Sequence, residues 1–152
     1  MQNKNYGFNP QEYKTGDYFM GGGFLGTKEI LPSGDWTGFC PIAEYQNKGF
    51  ETNACVRFGS LNALEMLFSF CLREDRNFSE RFLSVVAGGS RNGDDPQNVC
   101  NAIRSKGLVD EEDLPFNESV DSVDKCYSPT PMTNDLLKKG RKFLEDYRIG
   151  DE

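Results

Sequence analysis

The chain has no histidine among its 152 residues, and this absence excludes more than any single motif supplies. A Ser-His-Asp or Cys-His relay carried wholly by this chain is impossible, and so is an imidazole-ligated metal centre. Basic residues are also scarce, 17 Lys and Arg against 24 Asp and Glu, for a net charge of -7. That balance argues against nucleic-acid or membrane partners, because each needs a basic patch to meet phosphates or lipid headgroups. No apolar run approaches the ~20 residues that cross a bilayer, and Met1 to Gln11 is polar, unlike a signal peptide. The five cysteines, at 40, 55, 71, 100 and 126, form no CxxC pair and are odd in number. They read as reduced thiols of a cytoplasmic, non-secreted protein, with no metal or other cofactor expected. The sequons at Asn77 and Asn117 then carry no weight.

What the chain does contain is enough apolar surface for one domain, 37% apolar and 12% aromatic residues, cut into short elements by 16 glycines and 7 prolines. Residues 1–34 are rich in Gly, Asn, Tyr and Lys without helical or strand periodicity and read as an extended arm. Gly21, Gly23 and Gly26 fit GxGxxG, but no buried strand precedes them and Pro32 follows closely, so a flexible turn is the better reading. The strongest helix is predicted over 54–73, where Cys55, Phe58, Leu61, Leu64, Leu67, Phe68 and Cys71 form an apolar stripe. Thr52 or Asn53 is its expected N-cap. A second helix is expected from Ser79 to Gly88-Gly89. A third runs from the Asp95 cap through Pro96 to Gly107, with Val99, Cys100, Ala102 and Ile103 inward, and a last one covers about 134–147. Ser33 to Pro41 and Leu108 to Phe116 supply at most short extended pieces, so the fold class is mostly α with loops.

The segment from Gln46 to Glu65 carries the chemistry. A thiol in the first turn of a long helix sits where unpaired backbone N–H groups and the helix dipole favour an anion, here the Cys55 thiolate. Gln46, upstream on a polar loop, is placed to return an amide N–H that joins the Cys55 N–H around an oxyanion. Together they form half of an acyl-transfer site. The plainer reading makes Cys55 a small buried residue at the top of the apolar stripe.

The order Asp35-Trp36, Pro41, Gln46, Asn53-Ala54-Cys55, then Phe58 and Glu65 on the helix resembles the left, helical domain of papain-like cysteine peptidases. Ser79-Glu80-Arg81-Phe82-Leu83, Asn92-Gly93 before a helix, Lys106-Gly107-Leu108 and Pro115-Phe116 are similar to the downstream half of that domain, so the likeness covers about 35–116. The resemblance implies residues 35–152 as a papain-like left domain, with Cys55 as nucleophile and Gln46 as oxyanion donor. Gly93, with Asp94 and the flanking Asn92, would form the edge that pairs with an extended peptide or protein substrate. The likeness hints at a phage or metagenomic source, and if the chain is phage-encoded the expected location is the host cytosol or a virion.

This chain departs from the family pattern at several positions. Asp94 stands where the family has a second glycine, Thr52 replaces a disulfide cysteine, and Val56 replaces an aromatic. The β-rich right domain, with its histidine and orienting asparagine, has no counterpart here. The chain is therefore expected to be inactive alone, to need a right-domain segment or a second chain, and to leave one side of its last helix open to self-association. The alternative is a non-catalytic binding or virion-assembly module on the same scaffold. Among the thiols, Cys55 is expected to react fastest and Cys126, in a loop, to rival it.

Overall fold

The computed structural model describes residues 33–147. The expected arm lies outside these residues apart from its last two positions, as do Gly21, Gly23 and Gly26 and the tail from Arg148. Within the described part the chain is mostly helical, with almost no strand. Isolated bridges, Phe78 with Asp110 and Ser90 with Gly93, are its extended pairings.

Helix α1, Cys55–Leu67, continues into a π-helical turn, Phe68–Leu72, and stops where Arg73 takes the left-handed conformation. The expected span is thus borne out, but not the cap. The helix starts on Ala54, with no side chain capping it; Asn53 is left-handed at φ 55, and the Thr52 hydroxyl accepts from the Ala54 N–H instead. Cys71, expected on the inner stripe, is exposed, because the wider π turn shifts the register of the last residues.

Helix α2, Glu80–Val86, is capped by Ser79, whose hydroxyl accepts from the Phe82 N–H and donates to the Leu114 carbonyl. Helix α3, Pro96–Lys106, has its Asp95 cap, Pro96 start and Gly107 stop as the sequence predicts. One inward assignment is corrected: Cys100 faces solvent, whereas Val99, Ala102 and Ile103 are buried. Helix α4, Val123–Cys126, was not foreseen; its single turn buries Cys126, which is therefore not an exposed loop thiol. Helix α5, Asn134–Asp146, capped by Thr133, buries Leu136, Gly140 and Phe143. The 33–41 stretch forms a 3-10 turn at Thr37–Phe39 rather than an extended piece.

The core gathers on α1. Leu61 and Phe68 pack with Phe78, Leu83, Val99, Leu108 and Phe143, and the Phe68 ring meets Phe78 and Tyr147 at centroid distances of 5.4 and 4.9 Å. A smaller cluster, Ala54, Phe58, Phe116, Val120 and Cys126, closes over the first turn of α1. Helices α3 and α5 cross at two glycines: a Cβ on Gly107 would fall on the Gly140 carbonyl, and one on Gly140 would lie 2.5 Å from the Lys106 oxygen. On α5, Leu136, Gly140 and Phe143 are buried while Leu137, Leu144 and Tyr147 are half-buried; the exposed large apolar residues among those described are Ile42, Tyr45, Leu67 and Leu72.

By length and composition Cys55–Leu72, 18 residues of mean hydropathy 1.3, matches a membrane span. In this fold it is the central helix and carries Arg57 and Glu65 into the interior.

Candidate functional site

Cys55 is the first residue of α1 and is half-buried. Among the described α-helices, α2 to α5 are each capped by a side chain and α1 is not. The first turn of α1 is thus set up by its surroundings rather than by a local cap. Asn53 donates from Nδ2 to the Arg91 carbonyl at 2.6 Å, and Asn is the non-glycine residue best suited to its left-handed backbone. This bond brings the 90–94 loop to the start of α1.

Two residues beyond Cys55, Arg57 makes a second tie to the same loop. Its guanidinium is fully buried and pairs with Asp94 at 2.9 Å. It also donates to the Tyr127 hydroxyl at 2.9 Å, which in turn donates to the Thr52 carbonyl at 2.6 Å. Asp94 accepts as well from the Asp95 N–H and from Asn98 Nδ2. Gly89 is required beside this group, since a Cβ there would run into the guanidinium. Arg57 is consumed by these partners and is not arranged to serve a thiolate.

The expected substrate edge is therefore close to Cys55 in the fold, with its members differently disposed. Gly93 is half-buried at φ +85 and its N–H bonds to the Ser90 carbonyl. Asn92 is exposed, with its N–H on the Ser90 hydroxyl. Asp94 turns its carboxylate inward to Arg57, so a contribution from it to an edge would come from its backbone. A shallow depression of about 360 Å³ beside α1 is lined by Cys55, Val56, Gly59, Ala63 and Pro96. Two other hollows, about 320 and 500 Å³, flank Arg76 and include neither Cys55 nor Gln46.

Gln46 lies on the loop before α1. Exposure alternates along that loop: Glu44, Gln46, Lys48 and Phe50 are half-buried, whereas Tyr45, Asn47 and Gly49 are exposed. The loop bends at 46 and 48–50, with Gly49 at φ +84 and its N–H bonded to Asn47 Oδ1. Phe50 packs on the Ala54–Phe58–Phe116 cluster, Lys48 lies over the Phe116 ring at 5.7 Å, and the same lysine reaches Glu118 at 3.8 Å.

Sequence reasoning missed the buried carboxyls beneath this loop. Glu65 and Glu80 are 3% and 1% exposed. Burial raises Glu65 to about 7 although the Phe78 N–H bonds to it. Burial likewise raises Glu111 to about 7 against its bond from the Phe116 N–H. Glu80 is pushed up to about 10 by burial first and then by the adjacent Glu44 carboxyl. Glu65 sits ten residues after Cys55, about 15 Å along the helix, too far to exchange a proton with the thiol. A signal for these groups was present, since Glu65 falls on the inner stripe between Leu61 and Phe68. Among the described residues no group of three His, Cys, Asp or Glu is placed to hold a metal ion.

No family model, curated protein or solved structure matches the chain. The functional reading rests on the site itself.

Proposed function

We propose that this chain is the nucleophile-bearing half of a thiol amide hydrolase built like the left domain of papain-like cysteine peptidases. Cys55 attacks a peptide or isopeptide carbonyl. The developing oxyanion is held by the Cys55 N–H and Gln46; its collapse breaks the C–N bond, the amine leaves with a proton, and water then hydrolyses the thioester to the acid and the free thiol. Gly93 and its neighbours align the substrate backbone. The proton to and from sulfur is carried by a histidine outside this chain, on a right-domain segment or a partner that also supplies its orienting asparagine.

The observation that carries this reading is the junction at the start of α1: a half-buried thiol on the first helical residue, an open depression beside it, and the 90–94 loop tied to both sides of it through Asn53 and Arg57. A purely structural cysteine needs neither the approach nor the tethered loop. A second reading, a non-catalytic binding module, is favoured by the exposure of Ile42 and Tyr45, which offer apolar contact without chemistry.

A peptide-linked electrophile and iodoacetamide, compared on the native chain with each thiol followed by mass spectrometry, separate the two. Preferential capture of Cys55 by the peptide reagent, relative to exposed Cys100, is the expected result. Equal capture of Cys55 and Cys100 by both reagents would overturn the hydrolase reading.

A further inference from the structure

Helix α1 carries its charge on the wrong side for a surface helix. Its two ionic residues, Arg57 and Glu65, are buried, whereas Gly59, Ala63 and Leu67, at four-residue steps, face solvent. Of the apolar window Cys55–Leu72 only a third is buried, so much of its apolar character is not used by the core of this chain. The exposed side lines a groove against α3. The depression at Cys55 and Pro96, about 360 Å³, shares Ser60 and Ala63 with a second hollow of about 300 Å³ that reaches Leu67, Cys100 and Arg104. Among the described residues lining this groove Arg104 alone carries a charge, and it belongs to the Leu67 end.

Gly59 is the residue that the chain's own packing does not explain. Glycine inside a helix is destabilising relative to alanine. At Gly89, Gly107 and Gly140 a Cβ would collide with the chain itself, but at Gly59 it would meet nothing within 4 Å, and the backbone there is not left-handed. A body pressed closely against α1 would require the missing side chain. We propose that this body is a second copy of the chain, packed antiparallel on α1 about a two-fold axis at Ala63, with Leu67 of each copy seated over Gly59 of the other. Ala63 lies four residues, about 6 Å along the helix, from both. The two-fold therefore brings the leucine of one copy, 50% exposed in the single chain, onto the notch of the other, twice. Charge selects a copy of itself as the occupant. A two-fold contact sets a patch against its own image, and a chain of net charge -7 would repel itself through an acidic face, but this groove has no acid among its described lining residues. The two Arg104 side chains fall at opposite ends of the antiparallel contact and do not face each other.

Sedimentation equilibrium of the full chain from about 1 μM to about 1 mM tests the dimer by mass action. A monomer–dimer equilibrium is expected. Ala63→Glu, which sets two carboxylates against each other at the axis, should lower the association constant on the order of 100-fold or more. Gly59→Leu, which fills the notch, should weaken association as well. Because its site is open in the single chain, the same variant should keep or raise the urea midpoint of the monomer at low concentration. A chain that stays monomeric over the whole range would overturn the proposal, as would a dimer that both variants leave intact. Growth beyond a dimer would overturn it too, since a closed two-fold contact does not allow it. A monomeric Gly59→Leu variant that loses stability would overturn it by showing that the chain's own residues fill the groove.

Discussion

Arg57 and Asp94 form an ion pair with the guanidinium fully buried and the carboxylate 7% exposed, joining the first turn of the central helix to the loop that would line a substrate cleft. Breaking one side of a buried pair leaves the other charge without a partner. Asp94→Ala is expected to cost about 3–5 kcal/mol, read as a lower urea midpoint. Replacing both residues by apolar side chains of similar volume should recover most of that loss. A single Asp94→Ala loss under about 1 kcal/mol would show that the pair is hydrated in solution.

Gly140 and Gly107 leave no room for a methyl where α3 crosses α5. Gly140→Ala is expected to destabilise by about 1–3 kcal/mol through overpacking. Gly107→Ala should cost more, because its φ of +74 adds backbone strain. Chemical denaturation of the two variants checks both the size and the order.

Stability should fall as the solution turns from acid to neutral. Glu65 and Glu111 have ordinary values of 4.5 and are raised to about 7 in the fold, so between those limits the folded chain binds more protons than the unfolded one. Their contribution is complete below 4.5 and is lost as pH rises through about 7, at up to about 1.4 kcal/mol per pH unit for each carboxyl. Glu65→Gln should remove its share of the slope, measured by urea unfolding across the range. A stability that rises over this window would contradict the burial of both groups.

The thiols should divide by burial. Cys126, 2% exposed and with its ionisation further opposed by desolvation, is expected to resist iodoacetamide, while exposed Cys40, Cys71 and Cys100 react as ordinary thiols. Cys55 should match or exceed those three at neutral pH despite half-burial, since it lines the depression beside α1. Protection of Cys55 alongside Cys126 would make it a packing residue.

Pure chain is expected to show no peptidase turnover above background, because loss of a triad member costs several orders of magnitude in rate. Cleavage of a fluorogenic peptide panel that Cys55→Ala abolishes would show that this chain manages proton transfer without imidazole.

The helices were legible because their signals are local. Ser79 before Glu80, Asp95-Pro96 before an apolar stripe and Gly107 after it each set a boundary through hydrogen bonds within a few residues, and the structure keeps them. Errors arose where position depends on distant partners. Thr52 and Asn53 both read as caps, yet Asn53 is drawn away to Arg91, 38 residues on. Cys100 reads as part of an apolar stripe, but α1, α2 and α5 pack on α3 and bury Val99, Ala102 and Ile103, leaving Cys100 exposed. Cys126 looked like a loop thiol because a single helical turn has no period to detect.

The same division applies to the site. The sequence by itself determined the composition that excludes an imidazole relay, the mostly helical class, and Cys55 at the start of the longest helix, since each follows from residue identity or from spacing within one segment. Only the tertiary structure decided that Arg57 is spent on Asp94, that the 90–94 loop is tied to α1, and that Glu65 and Glu80 are buried. A charge's meaning depends on what surrounds it: in water a glutamate on a helix is an ordinary solvated ion, and four elements folded around it make it a buried acid.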